Sequence, residues 1–179
     1  MSVEIRNKVD GNKKKVVVLF KGCRLRYNDL RTPRSFKDTP TLPKKYSVTL
    51  ILDDQTLGEL DKVMEDAAKF LWGSSWESKL RNFRKNEPHN PARKQLTEDG
   101  DEFYTISCKS PELINRGGVT EKKNPPSVYK RNLKPVDWDD DSKVDENGNE
   151  IKHDRPYNGC YVNVVAELYA SAGGATQGI

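Results

Sequence analysis

A glycine-broken β run near the N-terminus constrains this fold more than any other feature. Val16-Val17-Val18-Leu19-Phe20 is short, apolar and β-branched, and it reads as a strand entering a buried sheet. After Gly22 the chain resumes as Cys23-Arg24-Leu25-Arg26-Tyr27. On a strand, the period of two puts Cys23, Leu25 and Tyr27 on one face and Arg24 and Arg26 on the other. Gly22 between the two segments marks a bulge or bend, as glycine does between barrel strands.

The elements that follow keep to the same plan. Residues 31–45, with Pro33, Pro40 and Pro43 and no periodicity, form a long loop. Tyr46–Leu52 is a second alternating strand, with Tyr46, Val48, Leu50 and Leu52 sharing a face. Asp53-Asp54-Gln55 opens a helix. Thr56 and Glu59 have capping-box spacing, and Leu57, Leu60, Met64, Ala67, Ala68 and Leu71 form its apolar stripe. Gly73 is the expected stop, and Ser74 with Glu77 repeats the capping spacing before a shorter helix near Trp76–Phe83. A loop over Asn86–Arg93, broken by Pro88 and Pro91, leads to the turn Asp99-Gly100 and a strand over Glu102–Lys109. That strand sets Phe103, Thr105 and Ser107 against Tyr104, Ile106 and Cys108. Residues 115–156 are loop-rich, with Gly117-Gly118, Pro125-Pro126, an acidic stretch and Asn147-Gly148, and two short strands flank these signals. Cys160–Tyr169 is the last strand. Several β segments with one helix inserted midway make the chain mainly β. They suit a five-stranded Greek-key barrel with long loops at 31–45 and 115–156 better than alternating βαβ units. The length of 179 residues fits one domain, 1–179.

Charge distribution narrows the choice of partner more than composition does. Apolar residues make up 34% of the chain and charged residues 32%, which implies a small core under polar loops. The net charge of +4 decides little. Its arrangement is more informative: residues 1–45 hold thirteen basic residues against four acidic ones, and 79–94 hold six against Glu87 alone. The segment 137–150 reverses the sign. Such polarity can steer a polyanion to one face. Cys23, Cys108 and Cys160 are odd in number and never in a C-x-x-C pair, so reduced, packed thiols are expected instead of a disulfide frame or a zinc site. Met1–Val9 is polar and no apolar stretch approaches a membrane span, so a soluble intracellular protein is expected.

The residues offer little to catalysis. His89 and His153 stand in polar segments without a ligand-type residue at i+3 or i+4, and read as exposed loop residues. No phosphate-cradling glycine motif occurs. Asp99, Asp101 and Glu102 are the nearest approach to a metal-dependent nuclease cluster, but Ser107 stands where an acid two residues before Lys109 would be needed. An enzyme is therefore not expected, and neither is a cofactor or metal.

Binding is better supported, because aromatic residues recur in basic company. The pairings are Phe20 with Lys21, Tyr27 with Arg24 and Arg26, Trp76 with Lys79 and Arg81, Phe83 with Arg84 and Lys85, and Tyr129 with Lys130 and Arg131. Exposed bases of a single strand stack on rings while Lys and Arg hold phosphates. All of these except Phe20, thirteen residues, are the candidate nucleic-acid-binding set. Phe20, Tyr46, Phe70 and Tyr161 lie on apolar faces and are assigned to the core, as is Leu71-Trp72.

The patches Phe20–Leu30 and Lys45–Ile51, the turn Glu98–Glu102 and the late segment Tyr157–Asn163 resemble, in the same order, the single-stranded DNA-binding proteins of tailed bacteriophages. The resemblance implies an OB-fold, binding with little sequence preference, a part in phage DNA replication or recombination, and a place in the cytoplasm of an infected bacterium. It also implies an acidic C-terminal tail that recruits partners and competes for the DNA groove. This chain ends instead on Gly173-Gly174-Ala175-Thr176-Gln177-Gly178-Ile179, so a shortened end is expected. The acidic segment 137–150 reads either as a substitute competitor or, more simply, as a solvated hairpin. The expected partners are single-stranded DNA first, then duplex DNA, replication proteins of phage or host, and a second copy as a homodimer, with no membrane. A general nucleic-acid binder that also takes duplex DNA or RNA is the alternative.

Overall fold

A computed structural model describes residues 1–11, 13–35, 39, 41–136, 138 and 156–170. The acidic segment 137–150 (apart from Trp138), His153 and the end 171–179 lie outside the described residues.

Among the described residues, eight strands and two helices follow in order: β1 (Ser2–Val9), β2 (Lys15–Asn28), β3 (Lys45–Leu52), α1 (Asp54–Trp72), α2 (Trp76–Phe83), β4 (Arg93–Leu96), β5 (Glu102–Pro111), β6 (Leu113–Arg116), β7 (Val119–Lys122) and β8 (Tyr161–Tyr169). A 3-10 turn, Gly73–Ser75, joins the helices. The class is as the sequence implies: mainly β and antiparallel, with helices inserted after β3. The detail differs from a five-stranded barrel. Six strands form one sheet in the order β1-β2-β3-β5-β4, with β8 also on β2, and β6-β7 is a separate hairpin.

Two strands are not among those expected from the sequence. β4 is exposed throughout and carries no hydrophobic period, whereas β1 alternates Val3, Ile5 and Val9 with polar residues but buries only Val3. Each is a strand because a neighbour pairs with it: β1 runs antiparallel along Lys15–Lys21, and β4 along Glu102–Thr105.

The two runs around Gly22 are one strand with a defect. Phe20 pairs with Val164 and Cys23 with Val162, so β2 spends one more residue than β8 across that interval. Gly22 takes φ 59°, the left-handed region open to glycine, and its N–H donates to Asn163 Oδ1 at 2.8 Å. The extra residue reverses the phase of the strand. Val16, Val18 and Phe20 point inward before it; Cys23 and Leu25 point inward after it, leaving Arg24 exposed.

α1 covers the apolar side with Leu57, Leu60, Val63, Met64, Ala67, Ala68 and Leu71, all buried. At roughly 1.5–3 kcal/mol for each large side chain, this stripe is what holds the helix in place. Its start differs from the capping box expected at Thr56 and Glu59. Asp53 is the cap, accepting from Thr56 N–H at 2.8 Å, and that bond holds its carboxyl below the usual range. Thr56 is buried within the first turn of the helix, and Glu59 accepts from Val3 N–H at 2.9 Å, pinning β1 instead. α2 likewise lacks the cap expected at Ser74: its N-cap is Ser75, without a side-chain bond. Gly73 ends α1 as expected, at φ 55°.

The chain clusters into two compact units. The first is 1–26, 49–108 and 159–179; the second is 27–48 and 109–158. Both long loops read from the sequence thus belong to the second unit, which has bonding of its own. Asp29 accepts from Ser47 Oγ at 2.8 Å and pairs with Arg34 Nε at 3.3 Å. Gly117-Gly118 turns the β6-β7 hairpin, with Gly118 N–H donating to Asn115 Oδ1 at 3.0 Å.

Candidate nucleic-acid interface

Within the first unit, the outward side of the sheet collects cations and rings. Arg24 stands directly opposite Tyr161 across the β2–β8 ladder, so the two share a face. The guanidinium of Arg26, two residues on, lies 4.6 Å from the centre of the Phe103 ring on β5. Phe103 is paired with Gln95, and Thr105 with Arg93. Thr49 and Ser107 exchange a hydroxyl hydrogen bond at 2.9 Å on the exposed side. Arg24 makes no ion pair among the described residues, whereas the nearby lysines are taken. Lys21 binds Glu4 at 3.0 Å, which lowers the Glu4 carboxyl, and Lys15 binds Glu167 at 2.6 Å. Lys94 pairs with Glu102, which raises the Lys94 ammonium.

Tyr161 overturns a sequence assignment. Placed in the core by its apolar company, it is 71% exposed. The signal was present in YVNVVAELY: period two sets Tyr161 with Asn163 and Glu167, against Val162, Val164, Ala166 and Leu168. Phe103 and Arg93 were also missing from the candidate set, though Phe103 shares its face with Thr105 and Ser107.

The α2 candidates meet different surroundings. Arg84 Nη2 binds Asp61 Oδ1 at 2.8 Å with its side chain only 17% exposed, so it joins α2 to α1. His89, read as an exposed loop residue, is half-buried: Nδ1 lies 2.8 Å from Asp61 Oδ2, and the ring stands edge-on to Tyr104 at 5.2 Å. Tyr104 and Phe103 are successive residues of one strand and therefore point to opposite faces. Arg84 and His89 belong to the Tyr104 side, Arg26 to the Phe103 side. Trp76 and Phe83 are half-buried, and the Lys69 ammonium sits 5.0 Å over the Trp76 ring. Arg81 and Lys85 are exposed and Lys79 is half-buried.

The remaining candidates fall in the second unit. Tyr27 is 55% exposed, and Tyr129, 60% exposed, forms a bridge with Pro135 while Lys130 N–H donates to Lys134 C=O at 2.8 Å. Arg131 is exposed beside them.

No cluster of three or more metal-ligand side chains occurs among the described residues, and no helix among them is long and apolar enough to cross a membrane. Asp99-Gly100-Asp101 is a turn, with Asp101 N–H donating to Thr97 Oγ1 at 3.0 Å. Cys23 and Cys108 are free thiols that burial pushes up to about 11, away from nucleophilic use near neutral pH.

Arginines and rings on one face of a sheet are groups that can hold phosphates and stack with bases. The match to known families agrees: residues 14–179 fit the family described as Enterobacter phage Enc34, ssDNA-binding protein. The chain belongs to that family. Two solved structures resemble it. One is the single-stranded DNA-binding protein of bacteriophage Enc34 in complex with ssDNA, 18% identical, with a TM-score of 0.45 over 88% of this chain and 80% of that one. The other is the C-terminal truncation of the same phage protein, 15% identical, with a TM-score of 0.49 over 95% and 86%. No curated protein matches the chain by sequence.

Proposed function

We propose that this chain is a sequence-tolerant single-stranded DNA-binding protein that uses the outward face of β2, β5 and β8. The carrying observation is the meeting of Arg24 with Tyr161 and of Arg26 with Phe103 on one side of one sheet. Phosphates pair with the guanidinium groups, and unstacked bases lie on the rings, each worth about 1–3 kcal/mol with little preference among bases. Duplex DNA hides its bases, so the rings favour single strands. Family membership supports the reading, and with it a supporting, non-enzymatic role in phage DNA replication or recombination in the cytoplasm of the infected host. Tyr27 and the Tyr129–Arg131 cluster of the second unit extend the candidate set.

A fluorescence titration of labelled oligo-dT against a matched duplex, over a range of salt, tests this. Tighter binding to the single strand is expected, with log affinity falling linearly in log salt by about 0.7 for each phosphate neutralised. Equal or tighter binding to duplex would replace the reading with a general nucleic-acid binder.

A further inference from the structure

β8 leaves the apolar side of the sheet incompletely covered. On β2, Val16, Val18 and Phe20 are 0, 0 and 1% exposed, while their partners Leu168, Ala166 and Val164 on β8 remain half-buried. On the other side of β8, Val165 is 66% exposed between Tyr161 and Tyr169. Among the described residues, β2 is the only strand that pairs with β8. The Cys160 C=O accepts from Leu25 N–H at 2.8 Å, which sets the alternation of backbone direction. Val162, Val164, Ala166 and Leu168 turn their amides toward β2. Tyr161, Asn163, Val165, Glu167 and Tyr169 turn theirs away. The strand carries no Lys, Pro or bulge of the kind that protects an open edge.

We propose that a second copy of this chain pairs on that edge, antiparallel, about a two-fold axis through Val165. Register selects the arrangement. With Val165 on the partner's Val165, Asn163 meets the partner's Glu167 and Tyr161 meets the partner's Tyr169. On the other side, Val164 meets the partner's Ala166 and Val162 the partner's Leu168. Apolar groups face apolar groups and rings face rings. The one charged residue of the strand faces an amide and already holds Lys15 Nζ at 2.6 Å. Centring instead on Glu167 sets like charges face to face, and centring on Asn163 runs Glu167 and Tyr169 past the end of the partner strand. The central register is also self-complementary, as a two-fold contact must be, and it adds about ten main-chain hydrogen bonds.

Sedimentation equilibrium of the full chain from low to high micromolar concentration tests the proposal, alongside two variants. The Val165 N–H points away from β2, so Val165→Pro removes an edge donor without breaking the β2 ladder. The expected result is a mass rising toward twice the monomer for the wild type, with Val165→Pro at least tenfold weaker in self-association and unchanged in its circular dichroism melt. Where Val165→Pro alters the melt, Val165→Lys takes its place, setting an ammonium against its own image, with the same expected result. Val165→Cys should form a covalent dimer under mild oxidation, because directly opposed, hydrogen-bonded residues lie about 5.5 Å apart between Cα atoms, within disulfide reach. A wild type that stays monomeric throughout, a dimer untouched by the edge variant, or a Val165→Cys protein that fails to cross-link would overturn the proposal.

Discussion

Two basic, aromatic regions of this chain look alike in sequence and differ in structure. The segment Trp76–Lys85 and the Arg24–Tyr27 strand both interleave rings with cations. On α2, the ring of Trp76 takes a lysine from its own helix pair, Phe83 is half-buried, and Arg84 is held by Asp61. On the sheet, Arg24 is paired with a tyrosine that stays 71% exposed, while Phe103, like Trp76, is half-buried with a cation, the Arg26 guanidinium, over its ring. Cations beside rings are therefore weak evidence of a binding face by themselves. What matters is whether the rings remain available once the packing around them is complete.

Mutagenesis can break or sharpen that contrast. The largest effect is expected from Arg24→Ala with Arg26→Ala. Two charge-assisted phosphate contacts at about 1.5–3 kcal/mol each imply a loss of a hundredfold or more in oligo-dT affinity, with a shallower salt slope. A loss under threefold would move the interface off this face. Tyr161→Ala and Phe103→Ala come next, each weakening oligo-dT by about 1–3 kcal/mol in the same titration, with little change across base composition. Asp61→Ala addresses the helical side. It strands the half-buried Arg84 and should lower urea-unfolding stability by about 1–3 kcal/mol, leaving the DNA affinity of the folded protein within twofold.

Asp53→Ala should cost about 1 kcal/mol of stability at neutral pH. The Asp53 carboxyl lies below its usual range because Thr56 N–H donates to it, so its contribution is complete above the unfolded pKa of about 3.9. The contribution is lost as pH falls through the lower folded value, and the gap between wild type and variant should close in acid unfolding curves. The smallest effect is expected from the triple variant Lys79→Ala, Arg81→Ala and Lys85→Ala, a change in oligo-dT affinity within about threefold from lost steering alone. A larger loss there than at Arg24 and Arg26 would reverse the comparison.

Local periodicity was enough for much of this protein. The sequence alone determined the strand at Tyr46–Leu52, the helix ending at Gly73, the bulge at Gly22, and the alternation after it that separates Arg24 and Arg26 from Cys23 and Leu25. Each follows from side-chain direction, turn geometry or backbone freedom within a few residues. Tertiary structure decided what depends on partners far along the chain. β1 and β4 exist because other strands pair with them, and Asp53 displaced Thr56 as the cap because Thr56 is buried within the helix. Arg84 and His89 converge on Asp61 from 23 and 28 residues away. Tyr161 faces solvent because β8 places it opposite Arg24. Hydrophobicity tells a residue that it prefers to be covered, but only the sheet's register determines which face is left without a cover.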